Sequence, residues 1–156
     1  MPLDADPRYT ARLIAAREGM GLSQEALAAQ AGLPKGFLWD LEAYPDDIVS
    51  AVSLRDLAAV CRVLRIEPAE LFAPDGAAFP VPVRPRQLAD AVQAHMTAAG
   101  LTPDTFAELV GWNITGLLAD PPTAVAALNV DGLYDICAAA SVPWLAALPT
   151  DASVGA

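Results

Sequence analysis

Three side chains in this sequence could take part in proton transfer or thiol chemistry, and their spacing argues against both. His95 is the single histidine, and no carboxylate or serine stands at a helical spacing that would mark a catalytic partner. Cys61 and Cys137 lie far apart in helical patterns, without CxxC spacing or a nearby histidine. We therefore expect a structural or surface histidine and two buried free thiols. The sequence predicts no metal site, no cofactor and no enzymatic activity.

The segments that carry these side chains have the pattern of helices. Apolar residues recur with helical periodicity along most of the 156 residues, and Gly and Pro interrupt the pattern. A composition of 54% hydrophobic and 18% charged residues is sufficient for packed cores. No apolar run reaches the ~18 residues of a membrane span, and the first residues lack the features of a secretory signal. The chain is predicted to be all-α and cytoplasmic.

A Pro-rich stretch divides the predicted helices into two groups. The sequence "APDGAAFPVPVRPRQ" covers residues 73–87, and its prolines favour an extended connector over another helix. We therefore predict two domains, at residues 1–73 and 87–156, joined by a linker at residues 74–86.

The two predicted domains share a weak internal repeat. A shift of 79 residues aligns "GLSQEALAAQAG" with "GLTPDTFAELVG". Identical residues in this alignment are Gly21 and Gly100, Leu22 and Leu101, Ala28 and Ala107, Gly32 and Gly111, Leu38 and Leu117, and Leu54 and Leu133. A gap of about three residues then aligns "RIEPAELF" with "SVPWLAAL", a length change that repeats tolerate. The pattern indicates a degenerate tandem duplication.

Residues 21–42 of the first repeat have the signals of two short helices joined by a tight turn. Ser23 is suited to cap a helix beginning at Gln24, Gly32 to end it, and Pro34 to open the next helix. The predicted apolar face between the two helices consists of Leu22, Leu27, Ala28, Ala31, Leu33, Leu38 and Leu41. The stretch therefore predicts a helix-turn-helix.

Further helical patterns extend this motif to five helices between about Thr10 and Phe72. With "REGMGLSQEALAAQAGL", the pair "LE" at residues 41–42 and "LAAVCRVLRIEPAELF", the region resembles the lambda-repressor-like, Cro-type helix-turn-helix (XRE) family. In that family the second helix of the motif lies in the major groove of DNA, and a glutamine opening the first helix anchors a phosphate. The resemblance therefore implies DNA-binding roles for Gln24, Lys35, Gly36, Phe37 and Asp40.

Only some of these implied DNA-binding residues have suitable chemistry. Lys35 can donate to a guanine edge or a phosphate, and Phe37 can touch a thymine methyl group. Gly36 has no side chain to contribute, and Asp40 repels phosphate.

The resemblance also implies a partly buried ion pair between Arg17 and Glu42. Their counterparts 79 residues later are Met96 and Pro121, so the second repeat has lost both charges. A buried charge without its partner costs ~3 to 5 kcal/mol, whereas replacing both charges with apolar groups is often neutral. We therefore expect Met96 to pack on apolar atoms.

The charged residues are distributed unequally between the two repeats. The formal net charge is −10 and the sequence pI is about 4.2. All nine basic residues fall in residues 1–86, together with twelve acidic ones, whereas residues 87–156 hold seven acidic residues and no Lys or Arg. Because DNA affinity depends on cations that displace counterions, only the first repeat is expected to contact DNA.

The second repeat has an apolar stretch, "WNITGLLADPP", in place of a DNA-reading helix, and Pro121 and Pro122 are expected to end that helix early. An apolar face at this position predicts a dimer or partner surface, with packing on the first domain as the alternative. The residues expected to form the partner surface are Trp112, Ile114, Leu117, Leu118, Trp144 and Leu145.

Trp39 and Tyr44 place two aromatic side chains near the predicted reading helix. They could pack on this chain's own connector, the interpretation that we favour, or Trp39 could anchor a protein partner.

These observations predict a DNA-binding transcriptional regulator of the XRE type, whose first domain reads DNA and whose second domain mediates association as a homodimer or with a protein partner. The alternative is an acidic protein-interaction adaptor, antitoxin-like or anti-repressor, that has kept the scaffold and lost DNA binding. Gly36, Trp39 and Asp40 favour the alternative.

Overall fold

Prolines and capping side chains define where the helices of this chain begin. The computed structural model describes residues 3–150, and the regular structure in that range is helical, without strands. Its helices are α1 (Pro7–Gly19), α2 (Gln24–Gln30), α3 (Phe37–Ala43), α4 (Asp47–Ser50), α5 (Leu54–Leu64), α6 (Pro68–Phe72), α7 (Pro85–Ala99), α8 (Pro103–Val110), α9 (Thr115–Ala119), α10 (Pro121–Ala127), α11 (Val130–Ala139) and α12 (Trp144–Ala147). The prediction of an all-α fold is confirmed.

Polar side chains cap the starts of three helices in the first half. The Asp6 carboxylate and the hydroxyls of Ser23 and Ser53 accept hydrogen bonds from backbone N–H groups of α1, α2 and α5. Each such cap stabilises its helix by ~1 kcal/mol. The cap predicted at Ser23 is confirmed.

The turn between α2 and α3 is longer than the sequence predicts. Gly32 has a φ of +72°, as expected of a residue that ends a helix in the left-handed conformation. Pro34 does not open α3, because a second left-handed residue, Gly36 with a φ of +90°, turns the chain after it. The helix therefore begins at Phe37, and Lys35 lies in the turn before it.

Helix order and backbone geometry recur in the second half. Gly21 and Gly100 have φ values of +68° and +67°, and Gly32 and Gly111 have values of +72° and +76°. The hydroxyl of Thr102 caps α8, the counterpart of α2 in chain order. These features keep the spacing of 79 residues found in the sequence.

The spacing between the halves shortens before α11. Ser53 and Asn129 cap α5 and α11, and Arg65 and Ser141 each follow those helices with a φ of +57°. Both pairs are 76 residues apart, so Asn129 follows Gly111 after three fewer residues than Ser53 follows Gly32. The predicted equivalence of Leu54 and Leu133 is therefore wrong: Leu133 corresponds to Leu57.

One continuous core joins the two halves. Helix α5 packs against α10, α4 against α11, and α6 against α12. Two hydrogen bonds cross between the halves: Leu54 N donates to Leu128 O at 2.7 Å, and Asn129 Nδ2 donates to Ser50 O at 2.6 Å. The fourth and fifth helices of each half thus pack against the fifth and fourth of the other. The division into two domains at residues 74–86 stays a prediction.

Residues 73–84, between α6 and α7, form an extended connector without helix. Phe79 and Val81 in this connector are 57% and 85% exposed. Its end is fixed to the second half, because Val83 N donates to Ala146 O at 2.7 Å. Within residues 3–150, no helix has both the length and the apolar character needed to cross a membrane.

Candidate nucleic-acid interface

Three hydrogen-bonded side chains connect α1, α2 and α3. Arg17 Nε and Nη2 donate to the two carboxylate oxygens of Glu42 at 2.6 and 3.0 Å. Gln24 Nε2 donates to Glu42 Oε2 at 2.6 Å, and Arg17 Nη1 donates to Leu22 O at 2.8 Å. The ion pair that the resemblance implies between Arg17 and Glu42 is present. We call these three side chains the Arg17–Glu42–Gln24 network.

The network is shielded from solvent. The side chains of Arg17 and Glu42 are 12% and 8% exposed, and the hydrogen bond with Glu42 raises the pKa of the Arg17 guanidinium. In the second half Met96 is 1% exposed within the core, and Pro121 is also buried. Met96 therefore packs on apolar atoms, as the sequence predicts, whereas Pro121 opens α10, the counterpart of α4, and does not take the place that Glu42 has on α3.

Gln24 takes part in this network, although the family resemblance implied that its side chain anchors a phosphate of DNA. A side-chain amide has two N–H hydrogens, and the network with Glu42 accounts for one of them. Contact with a phosphate would use the second, so the anchoring role of Gln24 stays a prediction.

Lys35 lies on the solvent side of the turn between α2 and α3. Its side chain is 84% exposed, and Nζ lies 3.6 Å from Glu25 Oε1. An exposed pair of this kind contributes ~1 kcal/mol or less, so Lys35 can leave Glu25 for a phosphate or a base edge. Sequence reasoning missed Glu25, because a separation of ten residues is not a helical spacing and the turn alone creates the contact.

The other implied groove residues differ in exposure. Gly36 is exposed at the start of α3, and Asp40 is exposed on the helix. Phe37 is partly buried and packs against the core. Lys35 and Phe37 are the two residues with side chains suited to contact DNA, and of these Lys35 is the one that lies fully on the surface.

Trp39 and Tyr44 form an exposed aromatic pair on and just after α3. They are 57% and 55% exposed, and their rings meet edge to face with centroids 6.4 Å apart. Such a contact contributes ~1 kcal/mol. Packing on the connector, the favoured interpretation, does not account for two rings that face solvent and contact each other.

The prediction of a partner surface around α9 is wrong for its central residues. Ile114 and Leu117 are 1% and 3% exposed, because α9 turns them toward α7 and α10 in the core. The Trp112 ring lies flat against α11, within 3.0 Å of where a Cβ on Gly132 would stand, and Nε1 donates to Asp135 Oδ2 at 3.2 Å. The sequence missed Gly132, whose missing side chain makes room for the indole.

The remaining predicted partner residues also take part in internal packing. The Trp144 ring meets Phe72 of the first half at 5.7 Å and Tyr134 of the second at 5.8 Å. Leu118 and Leu145 are partly buried against the same core. Packing on the first half, the alternative left open by the sequence, describes this surface better than a partner contact.

Cys61 and Cys137 are buried free thiols, as predicted, and burial raises the pKa of each to about 12. A thiol in that state is neutral at physiological pH and has little nucleophilic character. The His95 ring lies 6.0 Å from the Phe106 ring, a packing contact. Among the described residues, no group of three or more His, Cys, Asp or Glu side chains is arranged to hold a metal ion.

Comparison of the chain with protein-family models, with curated proteins and with solved structures found no match. The resemblance to the XRE family therefore depends on the residues and contacts described above.

Proposed function

We propose that this chain is a DNA-binding transcriptional regulator of the XRE type, with α2 and α3 as its helix-turn-helix. The observation that carries this proposal is the Arg17–Glu42–Gln24 network, which fixes α3 against α1 and α2. Recognition in the major groove needs a helix that is held rigidly, and the buried ion pair between Arg17 and Glu42 provides this while Gln24 has a second N–H hydrogen for a phosphate. Lys35, exposed in the turn before α3, supplies the donor for a phosphate or a guanine edge.

The charge of this surface limits its affinity for DNA. Glu25, Asp40 and Asp46 are exposed near Lys35 in the sequence, so one cation stands among several acids. Each phosphate neutralised by a cation contributes a slope of about −0.9 to the dependence of log affinity on log salt concentration. A surface with one lysine therefore binds DNA weakly, and its log affinity depends on log salt concentration with a slope near −1. Proteins that bind DNA strongly have slopes several times larger.

The second half acts in this proposal as a degenerate copy that occupies the place of a dimer partner. Its fourth and fifth helices, α10 and α11, pack against α5 and α4, the fifth and fourth of the first half. Such an exchange is the pattern of a two-fold symmetric dimer, here formed within one chain. The chain therefore needs no second copy to cover α4 and α5.

The experiment that tests the proposal is a salt titration with a random-sequence duplex. We expect a fluorescently labelled duplex to be bound at about 20 mM salt and released as salt rises, with a slope near −1. Lys35→Ala should weaken binding by ~1 to 3 kcal/mol and bring the slope close to zero. Arg86→Ala, which removes an exposed cation from α7, is the matched control and should leave binding unchanged.

Two results would overturn DNA binding at this site. One is the absence of any binding at 20 mM salt by protein whose circular dichroism shows the helical fold. The other is binding that Lys35→Ala leaves unchanged, since the contact would then be made by a different surface.

One observation favours a second candidate function, an acidic protein-interaction adaptor. Trp39 on α3 and Tyr44 just after it are half-exposed aromatic rings in contact with each other, and aromatic side chains of this kind anchor protein interfaces. If the folded chain does not bind DNA, the adaptor is the function that remains. Trp39→Ala would then abolish binding of the physiological partner while Lys35→Ala would have little effect.

A further inference from the structure

A cavity of about 570 Å³ lies between the two halves, open to solvent on one side. Its walls come from α5, from α10, and from residues beside α7 and α12: Ser53, Arg55, Ala58, Arg62, Pro85, Pro122, Thr123, Val125, Ala126, Ala127, Ala147 and Pro149. Cavities that hold small molecules in proteins have volumes of roughly 300 to 1,000 Å³. This one is large enough for a small organic ligand.

The walls combine small apolar groups with positive charge. Eight of the twelve lining residues are Ala, Pro or Val, so most of the lining is methyl and methylene carbon. Arg55 and Arg62 are separated by seven residues on α5 and so lie on the same side of that helix, two turns apart. Among the described residues that line the cavity none is acidic, although the chain has 19 acidic and only 9 basic residues. The described lining therefore offers arginine side chains to an anion and no carboxylate that would repel it.

We propose that this cavity binds a small amphipathic anion, with its apolar body between α5 and α10 and its carboxylate at Arg55. The Arg55 side chain is 77% exposed, and its Nε lies 3.6 Å from the carboxylate of Asp56. A contact of that length between exposed neighbours is weak, so a ligand carboxylate can take both donors of the guanidinium fork.

The ligand would connect the two halves of the chain. Ala58 belongs to α5 of the first half, whereas Val125 and Ala126 belong to α10 of the second. A molecule held between them stabilises the folded state by RT ln(1 + c/Kd), where c is the free ligand concentration, since it binds only when both walls are in place. The inference is independent of whether α2 and α3 recognise DNA or protein.

Calorimetric titration of the full chain with decanoate below its micelle concentration tests the proposal. Decanol, with the same apolar chain and no charge, and the decyltrimethylammonium cation are the comparison probes. We expect decanoate to bind about 3- to 5-fold more tightly than decanol, because an ion pair with an exposed arginine contributes ~1 kcal/mol or less. The cation should not bind in the cavity.

Three variants locate the binding in this cavity. Arg55→Gln should weaken decanoate binding about 3- to 5-fold and leave decanol unchanged, whereas Arg65→Gln, just after the same helix and outside the lining, should change neither. Ala58→Trp should abolish binding of both probes by filling the space. Decanoate binding that is absent, equal to that of decanol, or insensitive to both Arg55→Gln and Ala58→Trp would overturn the proposal.

Discussion

The ion pair between Arg17 and Glu42 makes the stability of the fold depend on each residue through its partner. Both side chains are largely buried, and Arg17 donates two hydrogen bonds to the Glu42 carboxylate. Glu42→Leu leaves the guanidinium buried without its counter-charge, so we expect the free energy of unfolding to fall by ~3 to 5 kcal/mol. Urea denaturation followed by circular dichroism measures this loss.

The double variant Arg17→Met/Glu42→Leu is the matched comparison. It removes both charges and places a methionine where the second half has the buried Met96. We expect most of the lost stability to return, with a cost below ~1.5 kcal/mol. A double variant as unstable as Glu42→Leu would show that packing at this site, and not the stranded charge, determines stability.

The two buried thiols make stability depend on pH in the alkaline range. Burial raises the pKa of Cys61 and of Cys137 from 9.0 to about 12. A group whose pKa is higher in the folded state stabilises the fold fully below its unfolded pKa and loses that contribution as pH rises toward its folded pKa. Between pH 8 and 10.5 each thiol should therefore reduce the free energy of unfolding by about 2 kcal/mol.

The variant Cys61→Ala/Cys137→Ala isolates this thiol contribution. It is expected to be less stable at pH 8 because it leaves small cavities, but its stability should fall by about 4 kcal/mol less between pH 8 and 10.5. Urea denaturation at the two pH values gives the difference. Parallel pH dependences for the parent and the variant would contradict the assigned thiol pKa values.

At the scale of the element, two helices end in the same strained conformation. Arg65 after α5 and Ser141 after α11 each have a φ of +57°, a conformation that glycine adopts without a steric penalty. We expect Arg65→Gly and Ser141→Gly each to raise the free energy of unfolding by ~0.5 to 1 kcal/mol. Ala94→Gly, in the exposed middle of α7, should lower it by ~1 kcal/mol. Thermal unfolding of the three variants compares them, and destabilisation by either helix-end glycine would argue against the left-handed conformation there.

Local signals in the sequence were sufficient for much of the helical structure. Ser23 caps α2 as predicted, and Ser53 and Thr102 cap α5 and α8 in the same way, because capping depends on residues within one turn. The start of α3 could not be predicted in the same way, since Gly36 after Pro34 lengthens the turn, and glycine permits that conformation without requiring it.

The candidate site was only partly predictable, because exposure depends on the whole fold. The ion pair between Arg17 and Glu42 followed from the family resemblance. The burial of Ile114 and Leu117 did not, since an apolar helix face has the same pattern whether it meets a partner or its own core. The contact of Lys35 with Glu25 was also missed, as it arises from the geometry of the turn.

At the scale of the whole molecule, the second half changes what the first half can do. Helices α10 and α11 cover α5 and α4, and Asn129 and Leu128 hydrogen-bond to Ser50 and Leu54 across the contact. The charged residues of the second half are all acidic, since residues 87–156 contain no Lys or Arg. The surface of α4 and α5, which would otherwise be open to another copy of the chain, is thus covered within the same molecule. The half that covers it is acidic and repels nucleic acid.

The sequence led us to expect that the second half mediates association, and the packing of the two halves predicts the opposite. We predict that the full chain is monomeric and that a fragment of residues 1–75 dimerises at high concentration. Truncation uncovers the contact surface of α4 and α5, and that surface normally meets α11 and α10, which correspond to α5 and α4 in helix order. A surface that fits its own counterpart can form a two-fold symmetric contact with a second copy. Light scattering on both proteins measures their oligomeric state, and circular dichroism verifies that the fragment is helical. A dimeric full chain, or a folded fragment that remains monomeric at high concentration, would contradict the inference that the second half takes the place of a second copy.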